Sequence, residues 1–260
     1  DGVAYLNFYL EEDADKDVIL RDVRNALEEL RTFMDIGEGT IEESQTEDKD
    51  WINNWKEFFH QFYVDDILIV PSWEEIKEED KDKMILHIDP GTAFGTGMHE
   101  TTQLVIRQLK KFVKPGMEIL DVGTGSGILG IVALKLGAGH VVGTDLDPCA
   151  VSAVSENKEA NQIEEKSFDM MIGNIIDDKE VQDQVGYEKY DIVAANILAD
   201  VLVPLTPVIV HQMKKGAYYI TSGILDVKEE VVKEAVQKAG LTLVEVTRQG
   251  EWVCVTARKD

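Results

Sequence analysis

The stretch LDVGTGSGILG, residues 120–130, places glycines at positions 123, 125, 127 and 130. Read from Gly123 it is a G-x-G-x-G turn. Read from Gly125 it is G-x-G-x-x-G, the spacing that cradles a dinucleotide. Either spacing lets backbone come close to a ligand, and the free N–H groups at the start of the following helix face it. Asp145, 20 residues after Gly125, ends the run VVGTD, where a carboxylate can accept hydrogen bonds from both hydroxyls of a ribose. NAD and S-adenosylmethionine both carry that ribose, so Asp145 leaves the two open. Asp121 is expected to decide between them by facing the middle of the ligand from the end of the first strand. There a carboxylate opposes a diphosphate at a helix N-terminus that prefers anions, and it welcomes a donor bearing an ammonium and a sulfonium. S-adenosylmethionine is the expected cofactor; the alternatives are a class I methyltransferase acting on another protein or a small amine and, behind it, an NAD-dependent oxidoreductase.

Two further stretches carry chemistry. FGTGMHETT, residues 94–102, adds Phe94, Gly95, Thr96, Gly97, His99, Thr101 and Thr102 just ahead of the first core strand. It reads as a lid over the cofactor, with Thr101 or Thr102 alternatively capping the next helix. Asn196 begins NIL at the end of a later strand. Its side-chain carbonyl can accept a hydrogen bond from a target nitrogen and aim the lone pair at a methyl group; the alternative is a plain turn residue. Ile197, Leu198 and Ala199 supply no ring to clamp a flipped base, which favours an aliphatic amine. A lysine with a pKa of about 10.4 must first lose its proton. Burial against Ile197 and Leu198 would lower that pKa. Asn196 can orient the amine but not deprotonate it, so His99 or water is the candidate base.

The elements that must position these residues alternate. MEILDVG, HVVGTDLD, FDMMIGNII, YDIVAANIL and AYYITSGI read as strands, separated by helices such as ETTQLVIRQLKKFV, PCAVSAVSENKEANQ and VKEEVVKEAVQKAG. That alternation demands a mostly parallel sheet covered on both faces. The tail LTLVEVTRQGEWVCVTARK breaks the rhythm with a hairpin and is expected to put one antiparallel strand into the sheet. Upstream, ILIVPSW and KMILHIDPG read as strands around an acidic loop, and WINNWKEFFHQF, residues 51–62, as an aromatic-striped linker helix. Residues 1–50 read as strand, amphipathic helix and polar stretch, part of a small α+β domain that is expected to be truncated at its front. The expected division is a domain at 1–50, a linker helix at 51–65 and the α/β domain at 66–260.

The chain of 260 residues has a net charge of −24, and residues 1–90 hold 26 acids against 9 bases. Such a surface repels phosphate backbones, so no direct nucleic-acid binding is expected; it attracts basic partners, or serves only solubility. No apolar run reaches the roughly 18 residues of a membrane span, and the start has no secretion-signal pattern. Cys149 and Cys254 make neither a disulfide framework nor a zinc site, which points to a reducing cytoplasm. His60, His87, His140 and His211 lack metal-ligand spacing, so no metal is expected.

Taken in order, AFGTGMHETT, ILDVGTGSGILGIVALKLGA, GTDLDPCAV and AANILADVL resemble the bacterial ribosomal protein L-eleven methyltransferase family over roughly residues 50–260. The resemblance implies a Rossmann-like class I methyltransferase domain behind an N-terminal substrate-recognition domain and a helical linker. It implies N-trimethylation of lysine side chains and of the N-terminal amine of a basic large-subunit ribosomal protein. By motif, Thr102, Gly123, Asp145 and Asn196 match the family's cofactor-binding positions, with Phe94, Gly95, Thr96 and His99 in the adjoining loop. Asn174, in MIGNII, stands where such enzymes usually place an acid near adenine.

Overall fold

The computed structural model describes residues 16–31, 37, 39–41, 59–89 and 95–260. The chain divides into two compact units between Ile52 and Asn53. In the first, α1 (Lys16–Arg31) is an amphipathic helix with Asp17 in its first turn and Arg31 in its last, which suits the helix dipole. The strand read at VAYLNFYL lies outside the described residues.

The second unit holds two sheets. The smaller consists of β1 (Phe62–Val64), β2 (Ile67–Val70) and β3 (Met84–His87) in that order. Of the expected aromatic linker helix, residues 51–58 lie outside the described residues; Phe59 is not helical, and Phe62 begins β1. Turn chemistry overrides the helical spacing here. Val64 pairs with Ile67 across Asp65 and Asp66, and Asp65 takes the left-handed φ of 56° that aspartate tolerates. The aromatic residues still pack, with Phe59 edge-on to Phe62 and to Trp73 at 6.0 and 6.3 Å. The two strands read at 66–89 therefore form a sheet of their own.

The larger sheet has seven strands in the order β6-β5-β4-β7-β8-β10-β9. These are β4 (Glu118–Val122), β5 (His140–Asp145), β6 (Phe168–Ile172), β7 (Tyr190–Asn196), β8 (Met213–Leu225), β9 (Leu241–Gln249) and β10 (Trp252–Lys259). All neighbouring pairs from β6 through β8 are parallel, and β10 is antiparallel to both β8 and β9. The terminal hairpin thus inserts one antiparallel strand, as its sequence predicts.

Side chains alternate across this sheet and build a core on each face. Leu120, Val122, Val193 and Ala195 share one face with residues of α5 (Lys179–Val185), α6 (Ala199–Ile209) and α7 (Glu229–Lys238). Ile119, Ile192 and Ala194 share the other with α2 (Glu100–Phe112), α3 (Ile128–Lys135) and the small sheet. The helix α4 (Cys149–Ala160) follows β5. Among the described residues no helix is long and apolar enough to cross a membrane.

Candidate active site

The glycine turn joins β4 to α3 and is tied to β5 by main chain. Gly123 N–H and Thr124 N–H both donate to Thr144 O, at 2.8 and 3.1 Å. Gly125 N–H donates to Asp145 Oδ2 at 2.8 Å, and Asp147 N–H donates to Oδ1 at 3.0 Å. Asp145 is thereby held in place, and each carboxylate oxygen keeps a lone pair for a further donor. Gly123, Gly125 and Asp145 line a cavity of about 580 Å³ at the carboxyl ends of β4, β5 and β7. This is where open α/β sheets bind ligands. Gly127 N-caps α3 and does not line the cavity.

Asp121 corrects the sequence reading. It does not face the ligand's middle; it lies beneath the turn, fully buried and outside the cavity lining. Its Oδ2 accepts from Thr124 Oγ1 at 2.7 Å and from Gly130 N–H at 3.2 Å, which braces the turn against α3. Burial pushes its pKa up to about 6, helped by the nearby charge of Asp145 and opposed by those two hydrogen bonds. Strand alternation is the reason. Leu120 and Val122 point to one face of the sheet, so Asp121 points to the other, under the first turn of α3.

The FGTG loop also departs from expectation. Phe94 lies outside the described residues. Gly95 and Thr96 do not line the cavity. Gly95 O accepts from Ser126 Oγ at 2.6 Å, and Gly97, at φ +86°, lies so close to Ile69 and Ile128 that a Cβ would sit within 3 Å of both. This part of the loop buttresses the glycine turn from the side of the small sheet rather than covering the cofactor.

The loop's far end does reach the cavity, through His99 and Thr101. His99 N-caps α2, the role the sequence reading gave to Thr101 or Thr102. Its Nδ1 accepts from Thr101 N–H at 3.3 Å, and its ring meets Trp252 edge-on at 4.9 Å. The geometry makes His99 a helix cap and part of the cavity wall, its Nδ1 also 2.9 Å from Thr101 Oγ1.

Thr102 is buried and absent from the cavity lining. Its Oγ1 accepts from Asn196 Nδ2 at 3.1 Å. That bond fixes the amide of Asn196, a residue of the cavity lining whose Oδ1 is buried and has no hydrogen-bond partner among the described residues. Asn174 also lines the cavity, but its side chain is used locally, with Nδ2 on Asp177 and Oδ1 accepting from Ile176 N–H. Leu146, Ile175 and Ile176 add an apolar wall beside Asp145.

Sequence reading missed Trp252, Gly223 and Val201, which also line the cavity. Val201 lies five residues after Asn196, within AANILADVL, whereas no local signal marks Trp252 or Gly223, whose strands meet Asn196 only through the sheet order. Among the described residues no group of His, Cys, Asp and Glu could hold a metal. Cys254 is buried, its thiol pushed up to about 12 chiefly by desolvation, and so is inert.

A seven-stranded sheet with one antiparallel strand, a glycine turn after β4 and a fixed carboxylate closing β5 define a class I methyltransferase fold. The fold is shared with a SAM-dependent methyltransferase from Aquifex aeolicus, 18% identical, at a TM-score of 0.50 over 60% of this chain and 89% of that one. The chain belongs to the ribosomal protein L11 methyltransferase (PrmA) family, whose profile matches residues 3–260. It is 58% identical along its whole length to the ribosomal protein L11 methyltransferase of Lachnospira eligens, covering 82% of that relative. It is also 31% identical to the ribosomal protein L11 methylase from Lactobacillus delbrueckii subsp. bulgaricus, with a TM-score of 0.69 over 78% of this chain and all of that one. Family membership sets aside the oxidoreductase alternative.

Proposed function

We propose that this chain trimethylates lysine ε-amines and the N-terminal α-amine of ribosomal protein L11, with S-adenosylmethionine as donor, in the cytoplasm. Asn196 carries the reading: it lines the cavity, its Nδ2 is bonded to Thr102, and its buried Oδ1 has no partner among the described residues, which leaves that oxygen for an incoming amine. Asp145 would hold the ribose hydroxyls, and Leu146, Ile175 and Ile176 would flank the adenine. The apolar wall beside the fixed carboxylate of Asp145 fits a ligand with a flat aromatic base next to a ribose. Bound there, S-adenosylmethionine supplies a methyl group on a sulfonium, a leaving group already activated.

The protein's own task is alignment. Asn196 Oδ1 accepts an N–H from the incoming amine and turns its lone pair towards the methyl group. Only a neutral amine has that lone pair, and Ile197, Leu198 and Val201 lower the amine's pKa by withholding water. With His99 Nδ1 occupied by the helix cap, the proton leaves to solvent. Thr102 acts through Asn196 and Asp121 through the glycine turn. A chain with two cysteines, Cys149 and Cys254, accords with a reducing compartment.

The test is incubation with methyl-labelled donor and the proteins of the large ribosomal subunit. Label is expected in L11, with mass gains of up to three methyl groups at single amines. Asn196→Ala is expected to lower turnover about 100-fold while donor affinity, measured by calorimetry, stays within a few-fold. Unchanged turnover in that variant would remove Asn196 from the mechanism, and label only in another protein would displace L11.

A further inference from the structure

One side of the cavity mouth is built from exposed aliphatic side chains. Leu198 and Val201, at the start of α6, line the cavity and remain accessible, Leu198 at 66%. Beside them β8 leaves the cavity at Gly223 and runs through Leu225 into a tight turn at Asp226–Lys228, from which α7 departs. Lys228 Nζ reaches Asp200 Oδ1 at 3.0 Å and pins that turn to α6. The pin leaves Val227 81% exposed, with Val231 exposed one helical turn further on. Leu225 is exposed as well and pairs in register with Trp252, which lines the cavity. Single exposed aliphatic residues are ordinary; here Leu198 and Val201 line the cavity, and Leu225, Val227 and Val231 lie on the strand end, turn and helix that Lys228 ties to them, a grouping that suits a binding surface.

The charges around this lip have one sign left over. Lys228 pairs with Asp200, Lys233 with Glu230 and Arg248 with Glu229. Asp226 and Glu251 are exposed, are linked by Asp226 N–H on Glu251 O, and have no basic partner among the described residues. The rim therefore suits a cationic chain.

We propose that this lip is the docking surface for the substrate polypeptide flanking the target amine, a basic segment with an apolar side chain beside the methylated residue. The inference rests on the proposed function, because an amine that reaches Asn196 must draw its own backbone across the mouth. For a lysine that backbone lies one four-carbon stem behind the nitrogen, at the mouth beside Leu198, with the turn that carries Val227 tied to α6 by Lys228 and Asp200. An apolar neighbour then covers Val227 and Val231. Asp226 and Glu251 face the cationic flanks and act mainly on encounter, as rim charges do.

The experiment is a Val227→Ser/Val231→Ser double variant, at two positions outside the cavity. It is assayed on intact L11 and on basic lysine peptides carrying Leu or Ser beside the target, with donor binding followed by calorimetry. For L11, KM is expected to rise about tenfold at unchanged kcat and donor affinity. The preference for Leu over Ser peptides, about tenfold in the parent, is expected to fall within twofold. An unchanged KM with the preference intact overturns the lip. So does a loss confined to donor affinity, which would assign these residues to the cofactor. Failure of the parent chain to methylate any of these substrates overturns the proposed function and, with it, the lip.

Discussion

Asp121 carries a carboxyl group where no solvent reaches it, and that sets a pH dependence. Its folded pKa is about 6 against an ordinary 3.8, mainly because burial penalises the charge. A raised carboxyl favours the fold while it is protonated. Its contribution is full below about pH 4 and is lost as the pH rises through about 6. The gap corresponds to about 3 kcal/mol. Asp121→Asn keeps the shape without the titration. Urea unfolding of the two proteins from pH 4 to pH 7.5 should show the parent losing stability relative to the variant by an amount of that order; a difference that does not change with pH would refute the assignment. The sequence placed an acid beside the turn, and strand alternation put that acid underneath.

The element that shapes the reactive end is the crossing of β8 over the residue after Asn196. Gly223 has φ +85°, and a Cβ there would lie 2.3 Å from Ile197 O, a main-chain atom that no rotamer change can move. Gly223→Ala should cost about 2–4 kcal/mol, from the left-handed conformation and from overpacking, and should reduce methyl transfer by displacing Asn196. Thermal unfolding and turnover measured together check this, and parent-like values in both would sink it. Nothing in SGIL announces that approach, since Ile197 is distant in sequence. The helix α6 was equally hidden: Pro204 and Pro207 lie inside it and mask its periodicity. In WINNWKEFFHQF the helical spacing ran into a strand because a two-aspartate turn at 65–66 outweighed it.

Across the whole molecule the dominant property is a net charge of −24. Long-range attraction to a cationic substrate should make kcat/KM fall roughly tenfold as salt is raised from about 0.02 to 0.3 M, with kcat nearly constant. A flat profile would leave the acidity as a solubility device.

The sequence by itself determined the alternating α/β pattern, the glycine turn, the carboxylate closing β5 and the asparagine closing β7. Each is written in spacings of a few residues that strand and helix geometry convert directly into position. Only the tertiary structure decided that Thr102 steers Asn196 across 94 residues, that Trp252 walls the same cavity, and that Asp121 braces rather than faces the ligand. Those contacts follow from strand order, above all from β10 lying between β8 and β9, and a pairing between distant strands leaves no trace in a local window of residues.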